Sequence, residues 1–249
     1  MKLPAPMKLP APILILAILA TLCSRALAII GASPVPQNET RFDAVAAFTL
    51  DQWRNLNVPT GNAVLIAADR VILPRHLINS TFTQPNSADG TPGAYVVRFR
   101  ANPDGSRGSM SNPSSFYHVR IARWITPPRR TSADDLVIGV LETPVTHITP
   151  MPIEWRPATV RGRIAANLLS WGPDEQNIKG QLRVGGISIS SMSAGSFSWQ
   201  TGAYGVLNDS GAAAVRVDRA GRTTLLGFMT TPRAGISFRR WRSADIFYR

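Results

Sequence analysis

Short apolar runs separated by turn-forming residues are the feature that most restricts the fold of this chain. Residues 63–67 (AVLIA) and 71–73 (VIL) flank a short polar turn at 68–70 (ADR), a pattern typical of a β-hairpin. Loops rich in Gly, Pro, Asn and Ser, such as 84–93 and 102–115, separate the later runs. Many short strands of this kind predict an all-β sandwich or a pair of barrels. The remaining predicted strands are 94–99, 118–125, 136–141, 164–171, 180–190, 212–217 and 223–230.

A proline-bearing stretch divides the strands into two groups. Residues 143–157 (TPVTHITPMPIEWRP) carry four prolines and predict a crossing between two halves. We therefore expect an N-terminal β unit over 29–147, a crossing over 148–160 and a C-terminal β unit over 161–249. Helical periodicity is weak, with one short helical turn predicted at 241–247.

The first 28 residues have the pattern of an export signal. Lys2 and Lys8 precede the apolar run 13–23, and residues 26–28 (ALA) match a cleavage site. The run is short for a membrane span, so an uncleaved anchor is the less favoured alternative and no transmembrane segment is expected after signal removal. The hexamer MKLPAP occurs twice, which leaves Met7 as an alternative start. The expected location is secreted or periplasmic.

Cysteine and histidine usage restricts the chemistry. Cys23 is the single cysteine and lies in the predicted signal, so about 220 residues must be held together by core burial without a disulfide. His76, His118 and His147 form no HExxH spacing, and no glycine-rich phosphate loop is present. We expect neither a metal nor a cofactor.

The chain is strongly basic. Its formal charge is +12, and the predicted signal holds three basic residues and no acid, which leaves +9 after cleavage. Such a charge would attract acidic proteins, anionic lipid headgroups or polyanions in a salt-dependent way. No nucleic-acid-binding module is visible, so nucleic acid is not an expected partner.

Three short segments carry candidate chemistry, and each one is weak alone. Residues 208–211 (NDSG) form a polar turn before an apolar run, His76 follows the run 71–73, and Asp135 opens the run 136–141. A turn serine, a structural histidine and a loop-end carboxylate are the ordinary interpretations of these residues.

Taken together, the segments resemble the trypsin/chymotrypsin family of serine peptidases. Residues 61–78 (GNAVLIAADRVILPRHLI) resemble the strand–turn–strand that leads to the catalytic histidine, which implies His76. Residues 118–145 resemble the stretch ending in NDIALLKL, which implies Asp135 as the catalytic aspartate rather than Asp134. NDSGAA resembles GDSGGP and implies Ser210 as the nucleophile. The segments 170–172 (SWG) and 227–230 (GFMT) are also similar, and the order His, Asp, Ser is that of chymotrypsin.

The resemblance implies a fold and an activity. The fold would be two packed six-stranded antiparallel Greek-key barrels with the site between them. The activity would be that of a serine endopeptidase acting on protein or peptide substrates, with the backbone N–H groups of Asn208 and Ser210 as the oxyanion hole. Cleavage after Ala28 would expose an IIG start similar to IVGG, which implies an ion pair between the Ile29 ammonium and Asp209. The alternative is that Ile29 and Ile30 are only an apolar start of the mature chain.

The same resemblance assigns a specificity pocket to Tyr204, Thr230 and Gly235. Tyr204 lies six residues before Ser210, where relatives that cut after Arg or Lys carry an aspartate. The expected preference is therefore for an apolar or small side chain.

Two departures from the family pattern leave an alternative open. Asn208 replaces a glycine, although asparagine is the residue that next best tolerates left-handed backbone. Pro74 and Arg75 replace two alanines before His76, and Arg75 would either alter activity or point into solvent. The alternative function is a non-catalytic homologue that acts as a basic binding module.

Overall fold

Two closed six-stranded antiparallel β-barrels make up the fold, as expected. The computed structural model describes residues 29–51, 59–78, 93–108, 112–126, 135–154, 163–172, 180–193, 195–205 and 209–237. The helical turn predicted at 241–247 and the predicted signal lie outside the described residues. Within these ranges there is no α-helix, and two short 3-10 turns occur at Arg75–Leu77 and Pro113–Ser115.

The first barrel closes in the strand order β2-β3-β4-β7-β6-β5, and the second closes as β8-β9-β10-β13-β12-β11 through the β8–β9 pairing. The two orders are the same when each barrel's strands are counted along the chain, so one Greek-key topology occurs twice. A two-residue strand, β1, adds to the outside of β9. The strands are β1 (Ser33–Pro34), β2 (Val45–Leu50), β3 (Gly61–Ala67), β4 (Arg70–Leu73), β5 (Tyr95–Phe99), β6 (Tyr117–Ile125), β7 (Val137–Leu141), β8 (Ile164–Ser170), β9 (Arg183–Ser193), β10 (Ser196–Gly202), β11 (Ala213–Val217), β12 (Thr223–Thr231) and β13 (Ala234–Ser237).

Side-chain alternation explains how the second barrel fills its interior. In β9, Ile187 and Ile189 are buried while Ser188 and Ser190 face outward, which is the period-2 pattern of a half-buried strand. The first barrel differs in that one of its strands is buried on both faces, since every residue of β2 is buried.

One apolar cluster continues from the first barrel into the second. It joins Phe48 and Ile72 of the first barrel to Trp171, Val215 and Phe228 of the second. The chain that links the barrels contacts both, because the Met151 N–H donates to the Leu65 carbonyl at 2.9 Å and the Glu154 N–H donates to the Leu225 carbonyl at 2.9 Å. These contacts fix the position of one barrel against the other and therefore the position of the loops between them.

Candidate active site

His76 lies in a single 3-10 turn that follows β4. Pro74 precedes this turn with a φ of −64°, close to the value that its ring imposes. The antiparallel pairing of β4 with β7 continues beyond the strands, since the Arg75 N–H donates to the Asp135 carbonyl at 3.2 Å. Strand pairing therefore brings residue 135 beside residue 76, although 59 positions separate them in the sequence.

The carboxylate of Asp135 holds the histidine at two points. Its Oδ2 lies 2.6 Å from His76 Nδ1, and its Oδ1 accepts the His76 backbone N–H at 2.7 Å. Because a carboxylate only accepts hydrogen bonds, Nδ1 carries the proton and Nε2 of a neutral ring is left as an acceptor. The His76 side chain is 39% exposed, so solvent and other molecules can approach the ring.

Ser210 lies in a turn that begins at the buried Asp209 and leads into β11. The Ala212 N–H donates to the Asp209 carbonyl at 2.8 Å and closes the turn. Gly211 has a φ of +82°, a left-handed conformation that glycine adopts at no steric cost. Its N–H donates to the Met229 carbonyl at 3.0 Å, which ties the turn to β12.

The Ser210 turn packs against the 3-10 turn that carries His76. A Cβ added at Gly211 would lie 3.1 Å from a methyl carbon of Leu77 and 3.2 Å from the Pro74 ring. Pro74, one of the departures from the family pattern, thus forms part of this contact. The fold brings the segments of the three candidate triad residues to one place between the barrels.

Arg75 is buried, with 8% of its surface exposed. The expectation that it could point into solvent is therefore wrong. The alternative expectation, that Arg75 alters activity, stays a prediction. Asn208 and Asp134 lie outside the described residues, so the oxyanion role of Asn208 also stays a prediction.

The three residues predicted to form a specificity pocket come from neighbouring segments. Gly235 of β13 pairs with Met229, next to Thr230 in β12. The half-buried Tyr204 lies beside the β12–β13 turn, because the Gly205 N–H donates to the Pro232 carbonyl at 3.2 Å. The guanidinium of Arg233, in that same turn, lies 4.8 Å from the centre of the Tyr204 ring. Sequence reasoning did not anticipate this cation at the predicted pocket.

The start of the described chain is inserted into the second barrel. Ile29 is 3% exposed and belongs to the same apolar cluster as Ala212 and Met229. Ile30 forms an antiparallel bridge with Tyr204, with its N–H 2.9 Å from the Tyr204 carbonyl. The predicted mature start therefore lies among residues that flank the Ser210 turn.

Two buried polar residues that the sequence did not link to Asp209, the residue before Ser210, lie near it: Ser170 and Asn62. Asp209 is fully buried and its Oδ1 accepts the Ser170 hydroxyl at 2.9 Å. Ser170 in turn contacts Asn62 of the first barrel. The signal available was Asn62 itself, a polar amide directly before the apolar residues of β3, since a buried amide requires partners.

Neither protein-family models nor curated proteins give a match to this sequence. The arrangement of the two barrels matches the trypsin-like two-barrel fold. Among the residues that the structure describes, no group of three or more His, Cys, Asp or Glu side chains is placed to hold a metal ion. In the same residues, no helix has the length and apolarity needed to cross a membrane.

Proposed function

We propose that this protein is an exported serine endopeptidase that uses Ser210, His76 and Asp135 as its catalytic triad. The observation that carries the proposal is the two-point contact between the Asp135 carboxylate and His76, made beside the Ser210 turn. A structural histidine needs only one partner for its ring. A carboxylate that fixes both the ring and the backbone of the same histidine also sets which ring nitrogen is free to act as a base.

The chemistry follows from this arrangement. The Ser210 Oγ attacks the carbonyl carbon of the peptide bond while His76 Nε2 accepts its proton. The resulting imidazolium is stabilised by Asp135 and gives the proton to the leaving amine, which leaves an acyl group on Ser210. Water, deprotonated by His76, then hydrolyses this ester and regenerates the hydroxyl. The backbone N–H groups of Asn208 and Ser210 stabilise the oxyanion in both steps.

The amino end is part of the same proposal. Cleavage after Ala28 frees the ammonium of Ile29, which pairs with Asp209 and orders the turn of Ser210. The burial of Ile29 and the Ile30–Tyr204 bridge support this role, since they place the segment next to that turn. Signal removal and activation would then be one event, and the protein would act in the periplasm or outside the cell.

The substrate is a protein or peptide, for which we propose a small or apolar side chain in the pocket of Tyr204, Thr230 and Gly235. No acidic residue stands at the Tyr204 position to receive Arg or Lys. The positive charge of the chain favours substrates and surfaces that carry acidic groups.

Labelling with a fluorophosphonate tests the proposal. The protein that begins at Ile29 should react at a single site, and Ser210→Ala should abolish the reaction. The matched control is Ser106→Ala, an exposed serine in the loop that follows β5, which should label like the wild type. Absence of Ser210-dependent labelling in correctly processed protein would favour the non-catalytic basic binding module.

A further inference from the structure

A chain of three buried polar side chains connects the first barrel to the turn that holds Ser210. Asn62 and Asp209 are fully buried and Ser170 is 1% exposed. The Asn62 amide, in β3, donates from Nδ2 to the Ser170 Oγ at 3.3 Å. The Ser170 hydroxyl, at the end of β8, donates to Asp209 Oδ1 at 2.9 Å. A first-barrel side chain is thus two hydrogen bonds away from the residue that precedes Ser210.

The directions of these hydrogen bonds are fixed by their neighbours. The Trp171 N–H donates to Asn62 Oδ1 at 2.8 Å, so the amide NH₂ must face Ser170. The Ser170 Oγ also accepts the Gly172 N–H at 3.0 Å. A hydroxyl accepts two hydrogen bonds and donates one. With both acceptor sites used, the single proton of Ser170 is directed to the Asp209 carboxylate.

The same contacts hold the Asp209 carboxylate close to the backbone. A Cβ added at Gly172 would lie 2.3 Å from Asp209 Oδ1, so the backbone after Trp171 lies directly against the carboxylate. Hydrogen bonds to a charged group are about twice as strong as those between neutral groups. The position of Asp209 is therefore coupled to Asn62 and, through β3, to the barrel that carries His76.

We propose that Asn62 and Ser170 are positioning residues that hold the Ser210 turn against the His76 turn; the inference rests on the proposed function for its effect on catalysis. Asp209 is then held from two directions in the mature protein. The Ile29 ammonium approaches it from the second barrel, and the Ser170 hydroxyl links it to the first.

The experiment compares the protein that begins at Ile29 with Ser170→Ala, Ser170→Thr and Ser237→Ala. Ser237 is the matched control, because it is also 1% exposed and its hydroxyl also donates a hydrogen bond, to the Ser193 carbonyl. Two quantities are measured: the rate of Ser210 labelling by a fluorophosphonate, and hydrogen–deuterium exchange of the Gly211 and Ala212 amides. Both amides donate within or beside the turn, so their exchange reports its order without requiring activity.

Ser170→Ala should slow labelling about tenfold or more and speed exchange of the two amides by a similar factor, since a hydrogen bond to a buried charge is lost. Ser170→Thr, which keeps the hydroxyl, should restore both quantities, and Ser237→Ala should leave both unchanged. For peptide hydrolysis, the loss should fall on kcat rather than on KM, because substrate contacts are unaltered.

Asn62→Asp supplies a second test. The change keeps an oxygen for the Trp171 N–H but turns the donor into a carboxylate oxygen, which competes with Asp209 for the Ser170 proton. Faster exchange of Gly211 and Ala212 is again expected.

Wild-type exchange of these amides in both Ser170→Ala and Asn62→Asp would overturn the inference, whether or not the protein labels. If the wild type fails to label while Ser170→Ala still loosens the turn, the inference stands and the proposed peptidase function fails.

Discussion

The Asp135 carboxylate contacts both the ring and the backbone of His76. One of its oxygens lies 2.6 Å from the ring Nδ1, and the other accepts the His76 backbone N–H at 2.7 Å. The antiparallel pairing of β4 with β7 brings His76 and Asp135 together. The same pairing places the Arg75 N–H in a hydrogen bond to the Asp135 carbonyl. Both contacts that orient the ring therefore come from the first barrel, whereas Ser210 lies in the second.

Asp135→Asn tests the ring contact. The amide keeps the shape of the side chain but its NH₂ can donate to Nδ1, which would leave the wrong tautomer of His76 facing Ser210. We expect kcat for peptide hydrolysis to fall by about 10⁴-fold with little change in thermal stability. The stability is measured by thermal unfolding in parallel, and a variant that retains activity within tenfold would contradict the proposed role.

The amino end can be tested by varying where the chain begins. Protein that starts at Ile29 should label readily with a fluorophosphonate, whereas protein with one extra alanine before Ile29 should label at least 100-fold more slowly. The physical reason is that removing the counter-charge of a buried carboxylate costs several kcal/mol. Amino-terminal sequencing of the exported protein should give Ile29, and any other residue there would remove the proposed activation by signal cleavage.

Gly211→Ala tests the contact between the Ser210 turn and the His76 turn. The new Cβ would suffer left-handed backbone strain and would also lie within 3.2 Å of Leu77 and Pro74. Gly221→Ala is the matched control, since Gly221 has a φ of +78° and a Cβ there meets nothing within 4 Å.

We expect the control to lose about 1–2 kcal/mol of unfolding free energy through strain alone. Gly211→Ala should lose about 1–3 kcal/mol more because of crowding. Denaturant unfolding measures both variants, and equal losses would show that the two turns are not tightly packed.

The sequence predicted the strands whose apolar residues are large and continuous. The hairpin of β3 and β4 was found within two residues at each end, although Arg70, expected in the turn, belongs to β4. Four of the described strands were not predicted, and one of them, β1, has only two residues. β2 (VAAFTL) is buried throughout but its alanines weaken the signal, and β13 (AGIS) has four residues, one of them glycine. β10 (SFSWQTG) is mostly polar, although Phe197 and Trp199 do alternate inward.

His76, Asp135 and Ser210 could be predicted as site residues because the segments around them together resemble a family pattern. No single one of these residues would have indicated a site. The contact between His76 and Asp135 depends on strand register, and the sequence contains no direct signal for register. The Asn62–Ser170–Asp209 chain and the Arg233–Tyr204 contact each join distant segments. Such contacts depend on how the barrels fold and pack, so the sequence alone does not predict them.

A buried ion cluster stabilises the first barrel. Asp43 lies 2.9 Å from Arg100 Nε and 2.6 Å from Arg107 Nη1, and the side chains of Asp43 and Arg100 are 12% and 5% exposed. Burial lowers the pKa of Arg100, and its hydrogen bond with Asp43 acts in the opposite direction by favouring the charged form.

Asp43→Asn should cost about 3–5 kcal/mol of unfolding free energy, because two arginines lose their counter-charge in a buried place. The control is Glu154→Gln, whose partner Arg216 is 45% exposed, and which should cost less than about 1 kcal/mol. Chemical denaturation at neutral pH and low salt compares the two. A loss at Asp43 no larger than that at Glu154 would show that the cluster contributes little.

Glu39 should make a small contribution to stability that depends on pH. Hydrogen bonding to the Arg41 side chain lowers the pKa of Glu39 to about 2, from a model-peptide value of 4.5. A carboxyl whose folded pKa is depressed contributes stability that is present above its unfolded pKa and is lost as the pH falls towards the folded value. Arg41 is 48% exposed, so solvent screening limits the contribution to under about 1 kcal/mol.

Glu39→Gln should therefore lower the Tm slightly at pH 6, and the gap in Tm between the variant and the wild type should close between about pH 4.5 and pH 2. Thermal unfolding across this range measures the gap, and a gap that widens on acidification would mean that Glu39 destabilises the folded state when charged.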